Sequence, residues 1–403
     1  MDNSITIGVL KETKNPPDRR VAITPEEGAN LIKQFPFVDL YIQSSEFRCY
    51  SDDEYRQYGL PIVKNVSFCD ILVGVKEVAI PELIADKKYM FFSHTTKQQP
   101  YNKKLLQAIL EKNITLIDYE LLTNDLNVRL VAFSRWAGII GCYNGLIALG
   151  KRSKLFNLKP ASQLKHIYEM FDELSSIKIP AIKILITGHG RAGSGAAEIL
   201  NFLEINEVEP SDFLTKTYDH PVFSILDPHD YVARKDDKDF TLQHFFNNPG
   251  MYKSIFTPYT KITDLLIPCH FWDPQSPPLM TKKEMQEQDF NITVIADVSC
   301  DIDGPIPSTI RPSKIDDPIY GYNPLTGKET APFEEDSITV MAVDNLPGEL
   351  PRDASSDFSK TLLESVYPSL IEDDNEEIIE RATIASNGKL KERYSFLEEY
   401  VKD

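Results

Sequence analysis

Ile184-Leu-Ile-Thr-Gly188-His-Gly190-Arg-Ala-Gly193-Ser-Gly195-Ala-Ala-Glu-Ile-Leu200 is the stretch from which the rest of the chain can be read. An apolar β-branched run meets Gly-x-Gly-x-x-Gly and passes at once into an alanine-rich helical pattern. Gly188 suits the tight turn, Gly190 lets backbone come close to a pyrophosphate, and Gly193 lets the helix pack closely on the strand. The helix N-terminus adds N–H groups and a positive dipole end for the phosphates. The glycines alone would also suit an ordinary strand–turn–helix corner. Strand, turn and helix in that order point to dinucleotide binding. The stretch lies past residue 180, so a substantial structure precedes the nucleotide domain.

At 403 residues the chain is too long for one comfortable core, and two domains are expected. A hydrophobic content of 42% with 10% aromatics is that of a globular protein. With 43 Lys and Arg against 61 Asp and Glu the formal charge is −18, which argues against nucleic acid or an anionic membrane as partner. An anionic small substrate stays possible if basic groups are focused in a cleft. Cys49, Cys69, Cys142, Cys269 and Cys300 are scattered without a Cys-x-x-Cys, so neither a disulfide framework nor a thiolate metal site is expected. The start Met1-Asp-Asn-Ser runs into a strand without a signal peptide. The most apolar helix-like run, Trp136 to Gly150, contains Asn144 and is too short to span a bilayer. A soluble, cytoplasmic protein is expected.

The first part alternates strands and helices. Strands are predicted at Ile5–Leu10, Tyr41–Gln43, Ile71–Val75, Tyr89–Ser93 and Ile114–Asp118, with a helix at Tyr101–Lys112. Thr24-Pro-Glu-Glu27 and Ser51-Asp-Asp-Glu54 read as capping boxes. Phe133 to about Lys151 reads as a long helix bridging into the second domain, with Ala137, Gly138, Gly141 and Gly145 allowing close approach. Further strands are expected at Lys183–Thr187, Val222–Leu226, Asp264–Pro268, Ile292–Ala296 and Ile338–Val343, with charged insertions at 206–221 and 228–262. The tail from Asp344 reads as a proline-punctuated loop followed by helices that fold back on the first domain. The expected fold is α/β: two doubly wound Rossmann-like domains with mostly parallel sheets and an inter-domain cleft. Residues 1–134, completed by helices in 345–403, would form the substrate (catalytic) domain, and residues 135–344 the NAD-binding domain.

In open α/β sheets ligands bind outside the carboxyl ends of the strands. In the first domain those ends carry Lys14 with Arg19 and Arg20, then Lys76 and Glu77, then His94, then Glu120, with Arg129 shortly after. Each alone has a bland reading: a solvated lysine, a hydrogen-bonded structural histidine, a surface arginine pair, a capping carboxylate. Together, beside a nucleotide domain, they suit an amino acid bearing several carboxylates. Arginine forks hold carboxylates bidentately. A lysine beside arginines has its pKa lowered and can serve as a general base, and a histidine can carry a second proton.

These residues lie in segments that resemble a known family: Asp18-Arg-Arg-Val-Ala-Ile-Thr-Pro25, Gly74-Val-Lys-Glu77, Phe91-Phe-Ser-His-Thr-Thr-Lys97, Leu116-Ile-Asp-Tyr-Glu120, Val128-Arg-Leu-Val-Ala-Phe-Ser-Arg-Trp-Ala-Gly138, Ala296-Asp-Val-Ser299 and Val343-Asp-Asn-Leu-Pro347. With the glycine turn, they make the chain similar over nearly its whole length to the lysine-forming saccharopine dehydrogenases. The lysine–2-oxoglutarate reductase domains, their relatives, are similar too. The resemblance implies that Lys76 is the general base for the secondary amine of saccharopine and His94 the acid–base for imine hydrolysis. It implies that Arg20, Glu120, Arg129 and Phe133 shape the substrate pocket, with Arg19 and Lys14 beside them. On the cofactor side it points to Gly188, Gly190, Arg191, Ala192, Gly193, Asp227, Cys269, Asp344 and Leu346.

The implied reaction interconverts saccharopine with lysine and 2-oxoglutarate using NAD, with NADP left open. Asp227 ends the second strand of the nucleotide domain, where an acid binds ribose hydroxyls and repels a 2′-phosphate. The insertions and Phe271-Trp-Asp273 look more like the reductase domains, whereas Gly-Arg-Ala-Gly-Ser-Gly looks more like the stand-alone NAD enzymes. Direction in the cell therefore stays open. The glutamate-forming enzyme often fused to the reductase is not expected in this chain, which stops at Asp403. The nearest rival is alanine dehydrogenase, which shares the architecture and the lysine–histidine pair. A catalytically silent NAD-binding protein is the rival of another class.

Overall fold

In the computed structural model, which describes residues 4–14 and 18–402, the chain divides into two units. Met1–Phe133 joins Pro351–Asp403 in one, and Ser134–Leu350 forms the other. Both are built on eight-stranded sheets.

The first unit carries β1 (Ile5–Val9), β2 (Val38–Gln43), β3 (Ile62–Val63), β4 (Ile71–Val73), β5 (Lys88–Phe91) and β6 (Thr115–Asp118). All neighbouring pairs among these six are parallel, in the order β6-β5-β4-β1-β2-β3. The central strand β4 is buried at every position, as expected of a strand covered on both faces, while β2 alternates buried with less buried residues. Strand addition reverses direction between β1 and β4, which places a ligand-binding crevice at their carboxyl ends.

Thr24 caps the helix Pro25–Gln34 by accepting from Glu27 N, but the reciprocal half of that box is missing. The Glu27 carboxylate accepts from Asn30 Nδ2 instead, at 3.1 Å. The Ser51–Glu54 box is complete.

The tail departs from the expectation of helices alone. Pro351–Ser365 is helical, but β17 (Thr383–Ser386) and β18 (Lys389–Leu390) form a hairpin, and β17 pairs antiparallel with β6. Its turn is Asn387-Gly388, both at positive φ (52° and 71°), a strong hairpin signal that the sequence reading passed over. The tail helix also serves the first strand crevice. Ser355 Oγ accepts from Val21 N at 2.9 Å and Ser359 Oγ from Thr24 N at 3.1 Å, which anchors the segment leading from Asp18.

The second unit carries β7 (Lys183–Thr187), β8 (Asn206–Glu207), β9 (Val222–Leu226), β12 (Leu265–Pro268), β13 (Val294–Ala296), β14 (Ile319–Asn323), β15 (Lys328–Thr330) and β16 (Ile338–Met341). Their order is β15-β14-β16-β13-β12-β7-β9-β8, parallel from β16 to β8. The antiparallel β14 and β15 were not expected from sequence. A separate hairpin, β10 (Val232–Arg234) with β11 (Tyr252–Ser254), lies within the 228–262 insertion.

The long helix Ser134–Ser153 was expected as a bridge; its small residues serve a crossing inside the second unit. A Cβ on Gly138 would fall 1.8 Å from Ala192 O, and one on Gly195 2.1 Å from Arg135 O. Arg135 and Glu198 clamp the same crossing at 2.7 and 2.6 Å. Gly138→Ala should therefore lower the unfolding free energy by about 1–3 kcal/mol, the cost of overpacking. A urea melt with an unchanged midpoint would show that the two helices part freely.

Candidate functional site

The carboxyl ends of β1, β4, β5 and β6 bring most of the expected substrate residues together. Glu12, just past β1, spans the reversal point: Oε1 accepts from Val75 N at 2.7 Å and Oε2 from Lys76 N at 2.9 Å. Burial pushes this carboxyl up to about 7 despite those bonds. Glu12 thus hangs the Lys76 backbone from the neighbouring strand end. The Lys76 pKa is lowered, by burial first and by the Arg20 charge second, with Asp18 and Glu77 opposing. The expectation from sequence named only the neighbouring cation; exclusion of water is the larger cause.

Arg20 is 3% exposed, and its guanidinium forks onto Asp18 at 3.0 Å (Nε to Oδ1) and 2.6 Å (Nη2 to Oδ2). It also lies 4.2 Å over the Phe133 ring. Burial would raise the Asp18 carboxyl, but the charge and hydrogen bonds of Arg20 hold it well below the usual range. Arg19 is exposed, and its carbonyl accepts from Cys49 N.

Glu77 joins two further members. Its Oε2 lies 3.1 Å from Lys14 Nζ and its Oε1 2.7 Å from His94 Nδ1. Burial acts to raise this carboxyl, yet the His94 bond and the Lys14 charge bring it down to about 2. With Nδ1 committed to Glu77, Nε2 is the His94 nitrogen left for proton transfer. His94 has φ 53°, in the left-handed region that a non-glycine residue enters only when its surroundings hold it there. The ring is tied to Glu77 and the His94 carbonyl accepts from Lys97 N, while buried Asp118 fixes the preceding residue, accepting from Ser93 N and Ser93 Oγ on one oxygen and from Glu120 N on the other.

Glu120 faces Lys97 Nζ at 3.2 Å and Arg129 Nη1 at 3.8 Å. Arg129 lies 5.5 Å over the Phe92 ring, which stacks on His94. Phe133 stacks on Phe358 of the tail helix at 4.3 Å. Lys14, Arg20, His94, Glu120, Arg129 and Phe133 are thus linked through contacts within one unit, and Lys76 lies in the field of Arg20, Asp18, Lys14 and Glu77.

The sequence reading missed Glu12, Asp18, Lys97 and Phe358 as members, and took Glu77 only as a strand-end residue. Glu12 and Lys97 follow strand ends and were within reach of the same rule. Phe358 comes from the far end of the chain and carried no local signal.

The second place is the glycine turn. Gly188 has φ 91°, and a Cβ there would fall 2.8 Å from His270 Cα. A Cβ on Gly193 would fall 1.9 Å from Gly188 O but 3.5 Å from Ile186 Cγ2, so this glycine closes the turn more than it admits the strand. No atom lies within 4 Å of where a Gly190 Cβ would stand, the open side a pyrophosphate needs. Arg191 begins the helix Arg191–Phe202 and is exposed, with Ala192 half-buried behind it.

Asp227 follows β9 directly, with Oδ2 3.5 Å from His189 Nδ1, on a cleft of about 780 Å³ that also takes in Glu207, Asp212, His229 and Asp230. Cys269 follows β12 and donates from its N to Thr187 O at 3.0 Å. The next residue, His270, is buried with Nδ1 2.6 Å from Thr187 Oγ1, and burial lowers it to about 4. Sequence reasoning missed it. Asp344 is exposed, but the Leu346 side chain is buried: a Cβ on Gly141 would stand 3.3 Å from Leu346 Cδ1. That side chain belongs to the core. The turn geometry, the open Gly190 side and the acid at the end of β9 fit a dinucleotide.

Among the described residues no helix is long and apolar enough to cross a membrane.

The family model for the alanine dehydrogenase/PNT N-terminal domain matches residues 8–140. Alpha-aminoadipic semialdehyde synthase of Arabidopsis thaliana is 29% identical over 97% of this chain, which spans 41% of that protein. This chain spans less than half the length of the synthases it matches. Saccharopine dehydrogenase [NAD(+), L-lysine-forming] of Candida glabrata is 26% identical, over 90% of this chain and 91% of that protein. Among solved structures an L-alanine dehydrogenase shares the fold, with a TM-score of 0.66 at 17% identity over 99% of this chain and 100% of that one. The chain is thus similar over nearly its whole length to alpha-aminoadipic semialdehyde synthases and to lysine-forming saccharopine dehydrogenases, and it shares the fold of alanine dehydrogenase.

Proposed function

We propose that this chain is a nicotinamide-dependent amino-acid oxidoreductase that interconverts saccharopine with L-lysine and 2-oxoglutarate. The observation that carries the reading is the set formed by Lys76, Glu77 and His94 at adjoining strand ends, with Glu77 bonded to His94 and acting on Lys76. The similarity to lysine-forming saccharopine dehydrogenases and to alpha-aminoadipic semialdehyde synthases supports it.

NAD would be held by the glycine turn, the N-terminus of Arg191–Phe202 and Asp227, and would supply the hydride acceptor. In the oxidative direction Lys76 accepts the proton of the secondary amine, which its lowered pKa allows. His94, held through Nδ1 by Glu77, presents Nε2 to the water that attacks the imine and then to the departing amine. Arg20, braced by Asp18 and Phe133, offers a fixed cation to a substrate carboxylate. Glu120 offers a carboxylate to a substrate ammonium.

The direct test follows NADH oxidation with lysine plus 2-oxoglutarate beside pyruvate plus ammonia. Turnover of the first pair is expected. Turnover of the second pair alone would assign the chain to alanine dehydrogenase, and none with either would leave it a binding protein.

The carboxylates around Asp227 repel a 2′-phosphate, so NADH should saturate at a concentration at least about tenfold below NADPH. Competitive saturation curves measure this, and a preference for NADPH would refute the role given to Asp227.

A further inference from the structure

The second unit holds another cavity, of about 310 Å³, at the low end of the range for small-molecule sites. Its walls are the long helix Ser134–Ser153, the segments 160–163 and 315–319, and Glu349. Asn144, Ile147 and Lys151 line it from one face of the helix, being three and four residues apart. Glu349 is 3% exposed and Asn144 2%.

Asn144 Nδ2 donates to Glu349 Oε1 at 2.8 Å, and Ser162 N–H also donates to this carboxyl. Both donors are neutral, and among the described residues Glu349 forms no ion pair. Lys151 is exposed at the rim, Asp316 on the 315–319 wall is acidic, and the Tyr143 hydroxyl of the long helix donates to Lys159 O. A buried carboxyl that faces a cavity without a counter-charge is costly, and a ligand bearing the missing charge removes that cost.

We propose that this cavity is a second ligand site, taking a small amino acid or ω-amino acid with its primary ammonium on Glu349 and its carboxylate at Lys151. It uses no residue assigned to the reaction above and stands independently of that reading. Burial pushes Glu349 up to about 7, so an ammonium, which needs the ionised carboxylate, displaces a proton on binding. Below that pH the affinity should fall about tenfold per unit, and above it level off.

The probe is 5-aminopentanoate, titrated calorimetrically into the full chain at several pH values and in two buffers of different ionisation enthalpy. The wild type should bind with buffer-dependent heat that reports proton release near neutrality. Glu349→Gln keeps the shape and the Asn144 bond but removes the charge, and should lose at least about tenfold in affinity together with the proton release. Lys151→Met, at an exposed position, should weaken binding a few-fold while the proton release stays. Wild-type heat that is pH-independent, a Glu349→Gln titration that overlays the wild type, or no binding at millimolar probe would each overturn the proposal. Binding of sodium or potassium ions with the same proton release, but not of the amino acid, would also overturn it.

Discussion

Lys76→Met should lower turnover of saccharopine by about 10²–10⁴-fold, the contribution of a positioned general base, while NADH still binds. Methionine keeps the length and apolar stem of the lysine, and the backbone bond to Glu12 does not involve the side chain. What is lost is the amine that accepts the substrate proton. The pH profile carries the sign. Oxidation needs neutral Lys76, so kcat/KM should climb with pH through the pKa of this group and level off above it. Burial and Arg20 place that climb below the ordinary lysine range. The reductive direction needs the protonated form and should decline over the same interval. Steady-state rates across pH for wild type and variant check this, and near-normal turnover in Lys76→Met would end the assignment.

His94→Gln should lower steady-state turnover by a similar 10²–10⁴-fold, roughly, but at a different step. Glutamine can still reach Glu77, so the left-handed corner at residue 94 has a partner. It cannot take and return a proton. With Lys76 intact, oxidation of the amine should proceed while hydrolysis stalls. Mixing variant, saccharopine and NAD rapidly should therefore show a burst of NADH of about one equivalent per site, followed by slow turnover. Loss of the burst together with the steady state would place His94 in the first step instead, and an unimpaired steady state would remove it from the mechanism.

The parts of this arrangement that were legible in the sequence are those that local pattern determines. Apolar runs mark β4, β7 and β9, and the position of Lys76, His94 and Glu120 just past strand ends follows from those runs. Partnership was not legible. Whether Glu77 serves Lys14, Lys76 or His94 depends on which strand neighbours which, and Glu12 acts on Lys76 only because β1 and β4 are adjacent. The reading of a lysine tuned by cations alone underrated burial, which a strand-end position does not reveal. The burial of the Leu346 side chain beside Gly141 was not legible either, because the Leu-Pro run reads locally as a loop. The tail hairpin was missed because β17 is four residues long and sits among helical segments, although Asn387-Gly388 announced it.

The pairing of β17 with β6 has a consequence for how the molecule is made. Residues 134–350 are contiguous and can fold as soon as they emerge from the ribosome. The N-terminal sheet cannot finish: until Pro351–Ser386 is synthesised, β6 has an open edge, and the N–H groups of Val21 and Thr24 lack Ser355 and Ser359. The N-terminal segment, made before residues 134–350, therefore matures after them. Throughout translation of the middle segment, the nascent chain carries an unpaired strand that is exposed to mispairing and aggregation.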